Sequence, residues 1–253
     1  MDILLPHFIR RRLDPDSSYG LRLTVLLVAV CLFAVPFSML LIEITSDDDV
    51  VEFDLAAAEQ AFEMKQRVPW VTEVLDAISL LGHPVWFWVL IGSVAVYLWL
   101  HHRRRLVAFL LTSTLGGSII NTAVKIAVNR PRPTYADPAA MTFQEGKSFP
   151  SGHAMSSTIA YGALLLIFLP LIPRRYRKWA VGGYVFLEAI IGLSRLGLGV
   201  HYISDVAGGY LLGLAWLTAS TAAFSIWRIE RGRRPVEPMS GVEPEAKADL
   251  QAT

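Results

Sequence analysis

Long uncharged stretches alternate with short charged ones along this chain of 253 residues. Six stretches reach the roughly 17–25 apolar residues that a helix needs to cross a bilayer. The buried core of a soluble protein could explain one or two such stretches, but not six. The pattern therefore predicts an all-α polytopic membrane helix bundle with six transmembrane helices, at about residues 23–42, 84–100, 106–128, 154–173, 179–198 and 206–227.

Composition supports a membrane protein and excludes two other classes. Hydrophobic residues make up 53% of the chain and charged residues only 18%, whereas soluble domains carry about 25% charged residues. A disordered chain and an ordinary soluble enzyme are both excluded. The net charge of +1 gives no strong electrostatic field that would attract a nucleic acid. The apolar composition indicates a lipid bilayer as the surroundings.

The loop between the first two predicted spans is long enough to hold structure of its own. Within it, Leu55, Ala58 and Phe62 share one helical face, which predicts a helix lying on the membrane surface. A second short helix is predicted from Pro69 to Leu81. These one or two interfacial helices could cap the bundle or gate the substrate, and the sequence leaves both roles open.

Basic residues set the expected orientation. They concentrate before span one, after span six, and in the loops that follow spans two and four, whereas the opposite side begins with Ser46-Asp47-Asp48-Asp49. The positive-inside rule then places both termini in the cytoplasm. We expect a multi-pass protein of the plasma (inner) membrane, with the loops at 45–83, 129–153 and 199–205 facing outward.

Three regions follow from this layout. Residues 1–22 are predicted to form a cytoplasmic N-terminal segment, and residues 23–230 the six-span domain. Residues 231–253 are rich in Pro, Glu, Ala and Gly, which predicts a disordered cytoplasmic tail. The oligomeric state stays open.

A group of polar side chains lies at the outer ends of spans three to five. Lys125, Arg132 and Arg195 supply three cations, and His153 and His201 lie near them. Each alone could be a snorkelling or structural side chain. Together they match the needs of a phosphomonoester, whose oxygens carry negative charge that Lys and Arg neutralise.

Two local arrangements add to this chemistry. Ser151 and Gly152 open the fourth span, where N–H groups point at an anion and Gly allows close approach. Ser151 also fits a plain N-cap, and the two roles are compatible. His201 and Asp205 are four residues apart and share a helical face. Asp205 can therefore fix one tautomer of His201, which leaves the other nitrogen free to attack phosphorus.

The order and spacing of these residues resemble the three-part signature of the type 2 phosphatidic acid phosphatase superfamily, the lipid phosphate phosphatases. All eleven fixed positions of that signature are present, which is more specific than a single short motif. They are Lys125, Arg132, Pro133, Pro150, Ser151, Gly152, His153, Ser194, Arg195, His201 and Asp205.

The resemblance implies a phosphatase that needs no metal or cofactor. It implies His201 as the nucleophile that forms a phosphohistidine, Asp205 as its orienting residue, and His153 as the acid and base. Lys125, Arg132, Ser151, Gly152 and Arg195 would bind the phosphate. The expected substrate is a lipid phosphate or pyrophosphate at the outer face: undecaprenyl pyrophosphate, phosphatidylglycerol phosphate or phosphatidic acid.

Two other functions and three further residues stay open at this point. One alternative is a non-catalytic lipid transporter or scaffold that keeps the helices. The other is a vanadate-dependent haloperoxidase-like enzyme, which the six spans disfavour because the vanadium haloperoxidases of the same superfamily are soluble and larger. Glu188, inside span five, is either functional or a buried structural partner. Arg130 could touch the substrate, and His83 is expected at the membrane interface.

Overall fold

The computed structural model describes residues 20–46, 49–134, 146–233, 236, 239–243 and 245. These residues form eight α-helices and one short 3-10 turn, Leu169–Leu171. The helices are α1 (Leu21–Ser46), α2 (Asp49–Arg67), α3 (Pro69–Leu80), α4 (Pro84–Leu100), α5 (Arg104–Val128), α6 (Gly152–Phe168), α7 (Arg174–Gly197) and α8 (Ile203–Glu230).

Six segments of the described chain are long and apolar enough to cross a membrane. They correspond to the six spans predicted from sequence, and the second of them includes both α3 and α4, joined by the turn at residues 81–83. The predicted all-α bundle with six membrane helices is confirmed. The chain is a multi-pass membrane protein.

Helix α6 lies at the centre of the bundle, in contact with α4, α5, α7 and α8. Its packing against α8 depends on small residues, because a Cβ added to Gly209 would lie 2.8 Å from the carbonyl oxygen of Ser151. A Cβ added to Gly213 would lie 3.1 Å from Thr158. Glycine lets membrane helices approach this closely, so the N-terminal ends of α6 and α8 lie side by side.

Four helix ends meet at one end of the bundle. Helix α5 ends at Asn129, which adopts the left-handed conformation with φ 54°, and Pro131 and Pro133 follow it. The backbone N–H of Ser151 donates to the carbonyl of Asp205 over 2.9 Å, which ties the start of α6 to the start of α8. The loops after α5 and α7 therefore converge on these two helix N-termini.

Helix α2 forms as predicted between the first two spans, but a different face is buried. The buried residues are Asp54, Ala58 and Phe62, whereas Leu55 is exposed. The prediction chose Leu55 because it is apolar. Asp54 occupies the buried position instead because an arginine and a serine of the bundle satisfy its charge, as described below.

The described part of the tail differs from the predicted disorder. Val236 and Val242 are buried, and the N–H of Val242 donates to the carbonyl of Leu166 over 3.0 Å. Glu243 accepts from the buried Arg228 of α8 over 3.0 Å. This ion pair and the two valines hold these residues against the opposite end of the bundle from the converging loops. Residues 1–19, and the remaining tail, lie outside the described residues.

Candidate active site

His201 and Asp205 lie at the start of α8, where their spacing brings the two side chains together. The Nδ1 atom of His201 is 3.2 Å from the Oδ2 atom of Asp205, and both side chains are buried. His201 precedes the helix, and Asp205 belongs to its first turn. The four-residue spacing therefore gives the contact that the sequence predicts.

The hydrogen-bond partners of His201 fix its tautomer. A carboxylate only accepts hydrogen bonds, and a guanidinium only donates them. Asp205 faces Nδ1, and the Nη1 atom of Arg132 lies 3.2 Å from Nε2. The proton therefore resides on Nδ1, and the lone pair of Nε2 points towards Arg132. Nε2 is therefore the unprotonated nitrogen of His201, and its lone pair accepts a hydrogen bond from Arg132.

Four donors surround the carboxylate of Asp205. Oδ1 accepts from the Nη1 atom of Arg130 over 2.9 Å. Oδ2 accepts from the N–H of Tyr202 over 2.9 Å, from the hydroxyl of Ser148, and from His201. A carboxylate has about four acceptor positions, so Asp205 is satisfied and held in one orientation.

Burial sets the charge state of His201. It lowers the pKa of His201 to about 4, and the positive charges of Arg132 and Arg195 act in the same direction. The hydrogen bond and the negative charge of Asp205 act in the opposite direction. His201 is therefore neutral at neutral pH, the state in which an imidazole is a nucleophile.

The three predicted cations lie around this pair. Arg132 donates to the carbonyl of Val200 over 2.7 Å, and Lys125 donates to the carbonyl of Lys147 over 2.8 Å. Arg195, buried at the end of α7, donates to the hydroxyl of Ser79 in α3. The structure thus brings cations from α5, the following loop and α7 to one place.

The start of α6 offers donors to an anion. Ser151 is the N-cap residue by position, but its side chain makes no capping bond. Among the described residues, its buried hydroxyl has no hydrogen-bond partner. A buried polar atom without a partner costs free energy, so this hydroxyl fits an anion better than a plain cap. The first N–H groups of the helix, beginning at Gly152, have no partners within it.

A cavity of about 410 Å³ connects these groups to the interior of the bundle. Its polar end is lined by Lys125, Arg132, Gly152, His153 and His201. Its other walls come from α4, α5 and α6 and combine apolar with small polar side chains. The apolar ones include Phe87, Trp88, Ile91, Ile159 and Ala160, and the polar ones are His83, Thr114, Ser118, Asn121, Thr122 and Ser156.

The model of the PAP2 superfamily matches residues 106–228 of this chain. That segment contains every residue of the three-part signature and the last four spans. A crystal structure described as the first transmembrane PAP2-type phosphatidylglycerolphosphate phosphatase, from Bacillus subtilis, is similar in fold. Its TM-score is 0.68 at 25% identity, over 76% of this chain and 94% of that one. The chain belongs to the PAP2 superfamily.

Curated relatives agree with this assignment. Phosphatidylglycerophosphatase B of Bacillus subtilis is 29% identical over 153 residues, which are 58% of this chain and 72% of that protein. Lipid A 1-phosphatase of Rhizobium etli is 34% identical over 122 residues, 46% of this chain and 48% of that protein. The predicted enzyme class is confirmed: this PAP2 protein is a membrane lipid phosphatase.

Three polar residues of this PAP2 site escaped the sequence prediction or were left undecided. Asp54 and Ser148 were missed, and Arg130 was named only as a substrate contact. Arg130 contacts Asp205 instead. The signal for Arg130 was its position between Lys125 and Arg132 of the first signature part, but nothing near Asp54 or Ser148 in the sequence marks either residue.

The structure also locates His83 and Glu188, whose roles the sequence left open. His83 lines the cavity, and its ring lies edge-on to that of His153 with 6.3 Å between centroids. It therefore lies beside the site as well as at a helix start. Glu188 accepts from the hydroxyls of Ser157 and Thr158 of α6, so it links α7 to α6 inside the bundle.

Proposed function

We propose that this phosphatase removes the terminal phosphate of a membrane lipid through a phosphohistidine on His201. The observation that carries the proposal is the shape of the cavity. Its polar end holds the nucleophilic nitrogen of His201 together with Lys125 and Arg132, and apolar side chains continue along its walls between α4, α5 and α6. A phosphate with a long hydrocarbon tail matches such a cavity, whereas a small water-soluble phosphate would leave most of it unfilled.

The length of the cavity suits a lipid tail. Lys125 and Thr114 both line it and lie 11 residues apart on α5, which is about 16 Å at 1.5 Å per residue. Tail binding in this groove leaves the phosphate at the end where the four helix ends meet. The tail then contributes binding energy that positions the phosphorus near His201.

In the first step, the lone pair of Nε2 of His201 attacks phosphorus, and the bond from phosphorus to the leaving oxygen breaks. His153 gives its proton to that oxygen, so the alcohol or lipid phosphate leaves neutralised. Lys125, Arg132 and Arg195 hold the non-bridging oxygens, together with Ser151 and the N–H groups at the start of α6. Their charge stabilises the transition state.

In the second step, a water molecule attacks the phosphorus of the phosphohistidine. His153, now neutral, takes the proton of that water, and the bond between phosphorus and Nε2 breaks. Inorganic phosphate leaves, and both histidines return to their starting states. Asp205 keeps the proton on Nδ1 of His201 and stabilises the positive charge that the ring carries during transfer.

Among lipid phosphates, we propose phosphatidylglycerol phosphate as the preferred substrate. The support is the likeness to phosphatidylglycerophosphatase B of Bacillus subtilis and to a crystal structure from the same organism that is described with the same activity. Undecaprenyl pyrophosphate and phosphatidic acid share the terminal phosphate and the apolar tail, so the same site chemistry applies to them. They differ from the preferred substrate in the group that leaves.

Phosphate release from a panel of lipids tests this proposal. The purified protein in detergent is incubated with phosphatidylglycerol phosphate, phosphatidic acid, undecaprenyl pyrophosphate and glycerol 3-phosphate, all in excess EDTA. We expect the highest kcat/KM with phosphatidylglycerol phosphate and none measurable with glycerol 3-phosphate. Equal activity on glycerol 3-phosphate would contradict the role of the cavity, and activity that requires added magnesium would contradict charge neutralisation by side chains.

We further propose that this site faces outward and that both termini are cytoplasmic, in the plasma (inner) membrane. The support is the charge pattern, because basic residues cluster at the end of the bundle opposite the site. Lipid phosphates of the outer leaflet would then reach the cavity from the side.

Cysteine labelling in intact cells measures this orientation. In a Cys31→Ser background, Thr134→Cys adds a thiol at an exposed position near the site, and Lys178→Cys adds one at an exposed position of the opposite end. A membrane-impermeant thiol reagent should label the cysteine at 134 before lysis and the cysteine at 178 only after lysis. The reverse pattern would contradict the orientation.

A further inference from the structure

A buried carboxylate from outside the superfamily segment reaches the site. Asp54 belongs to α2, and its side chain is only 1% exposed. It lies outside residues 106–228, the part that matches the superfamily model. A buried charge is costly unless it is paired, so the partners of Asp54 indicate what it does.

Asp54 and Asp205 both accept hydrogen bonds from the guanidinium of Arg130. The Nη2 atom of Arg130 donates to Oδ2 of Asp54 over 2.8 Å, and the Nη1 atom donates to Oδ1 of Asp205 over 2.9 Å. Arg130 also lies 4.2 Å from the ring centroid of Tyr202. The guanidinium is thus held between two carboxylates and an aromatic face.

Ser204 completes the connection. Its backbone N–H donates to Oδ1 of Asp54 over 3.0 Å, and its hydroxyl donates to Oδ2 of the same carboxylate. That hydroxyl also accepts from Nη1 of Arg130 over 2.7 Å. Ser204 lies one residue before Asp205, so these bonds fix the turn of α8 that carries the carboxylate facing His201.

We propose that Asp54 is a positioning residue for the nucleophile, acting on His201 through Arg130 and Asp205. This inference rests on the proposed function, in which His201 attacks phosphorus. Asp54 balances the charge of Arg130, so Asp205 keeps the full negative charge that orients and stabilises His201. Without Asp54, the charge of Arg130 is balanced by Asp205 alone, and the interaction of Asp205 with Nδ1 of His201 becomes weaker.

The test is Asp54→Asn, which keeps the size of the side chain and removes its charge. We expect kcat per folded molecule to fall about 10- to 100-fold, the scale on which a hydrogen bond to a charged group contributes, with KM unchanged. Asp54→Glu restores the charge and should recover most of the activity. Glu59→Gln, at an exposed position of the same helix, serves as the matched control and should retain full activity.

A double-mutant cycle separates positioning from general stability. Because Asp54 acts through Arg130, Asp54→Asn combined with Arg130→Gln should be little worse than Arg130→Gln alone. Ser204→Ala removes one hydroxyl and preserves the ion pairs, so it provides a milder variant if Asp54→Asn folds poorly. It should lower kcat by a smaller factor, again with KM unchanged.

Two outcomes would overturn the inference. One is unchanged kcat per folded molecule in Asp54→Asn or, if that variant folds poorly, in Ser204→Ala, with only the yield of folded protein or its unfolding temperature lowered. The other is full additivity in the cycle. His201→Ala is measured in parallel: turnover by that variant would contradict the proposed function itself, whereas its inactivity beside fully active Asp54→Asn would contradict only the role of Asp54.

Discussion

Replacing His201 with alanine is expected to lower turnover by at least about 10⁴-fold while the protein stays folded, because the variant lacks the atom that attacks phosphorus. Phosphate release from phosphatidylglycerol phosphate gives the turnover, and thermal unfolding in detergent checks the fold. His102→Ala, an exposed histidine at the opposite end, is the matched control and should be fully active. Substantial turnover by His201→Ala would exclude the histidine mechanism.

The pH dependence gives a second check on the same residue. His201 attacks only when neutral, and burial lowers its pKa to about 4. The rate of phosphoryl transfer to the enzyme should therefore be unaffected by the ionisation of His201 near neutral pH and should fall as the pH drops towards 4. Asp205 raises this pKa, whereas Arg132 and Arg195 lower it. Asp205→Asn removes the carboxylate and should therefore lower the pKa of His201 further. The acid limb should move to lower pH, and the plateau should also fall.

His153→Ala is expected to lower turnover of a lipid phosphate by about 10²–10⁴-fold, the usual contribution of a general acid or base. A poor leaving group such as a lipid alcohol needs the proton that His153 supplies. Nitrophenolate needs little protonation, so a nitrophenyl phosphate should still transfer its phosphoryl group to His201. Hydrolysis of the phosphohistidine still needs His153, so this variant should release a burst of about one equivalent of nitrophenolate and then turn over slowly.

Stopped-flow absorbance measures that burst, and the unaltered enzyme is the reference. His83→Ala is the matched control, because His83 lines the same cavity and has no assigned proton transfer. Equal loss with the lipid and the nitrophenyl ester, with no burst, would contradict the proton-transfer role of His153.

Most of the bundle was predictable because membrane helices obey a local rule. Each span is a continuous apolar stretch of fixed minimum length, so its position can be identified without knowledge of its neighbours. Helix α2 was also found from local periodicity. Its buried face was not, because Asp54 is stabilised by Arg130 and Ser204, which lie 76 and 150 residues further along the chain.

The signature residues were predictable for a different reason. His201 and Asp205 lie within one helical turn, and the Ser151 to His153 segment opens a helix, so their local spacing already gives the geometry. The contact between Arg132 and His201 spans 69 residues, and the resemblance to the superfamily indicated only that the two residues share one site. Ser148 donates to Asp205 across 57 residues, and no spacing rule connects those two positions.

The most direct test of the account is to identify the residue that carries the phosphoryl group. The enzyme is mixed with a lipid whose terminal phosphate is labelled and is quenched rapidly without acid, since a phosphohistidine is acid-labile. The protein is then digested and mapped, with His201→Ala as the blank. We expect label on His201 alone and none in the variant; label on Ser151 or His153 would contradict the phosphohistidine mechanism.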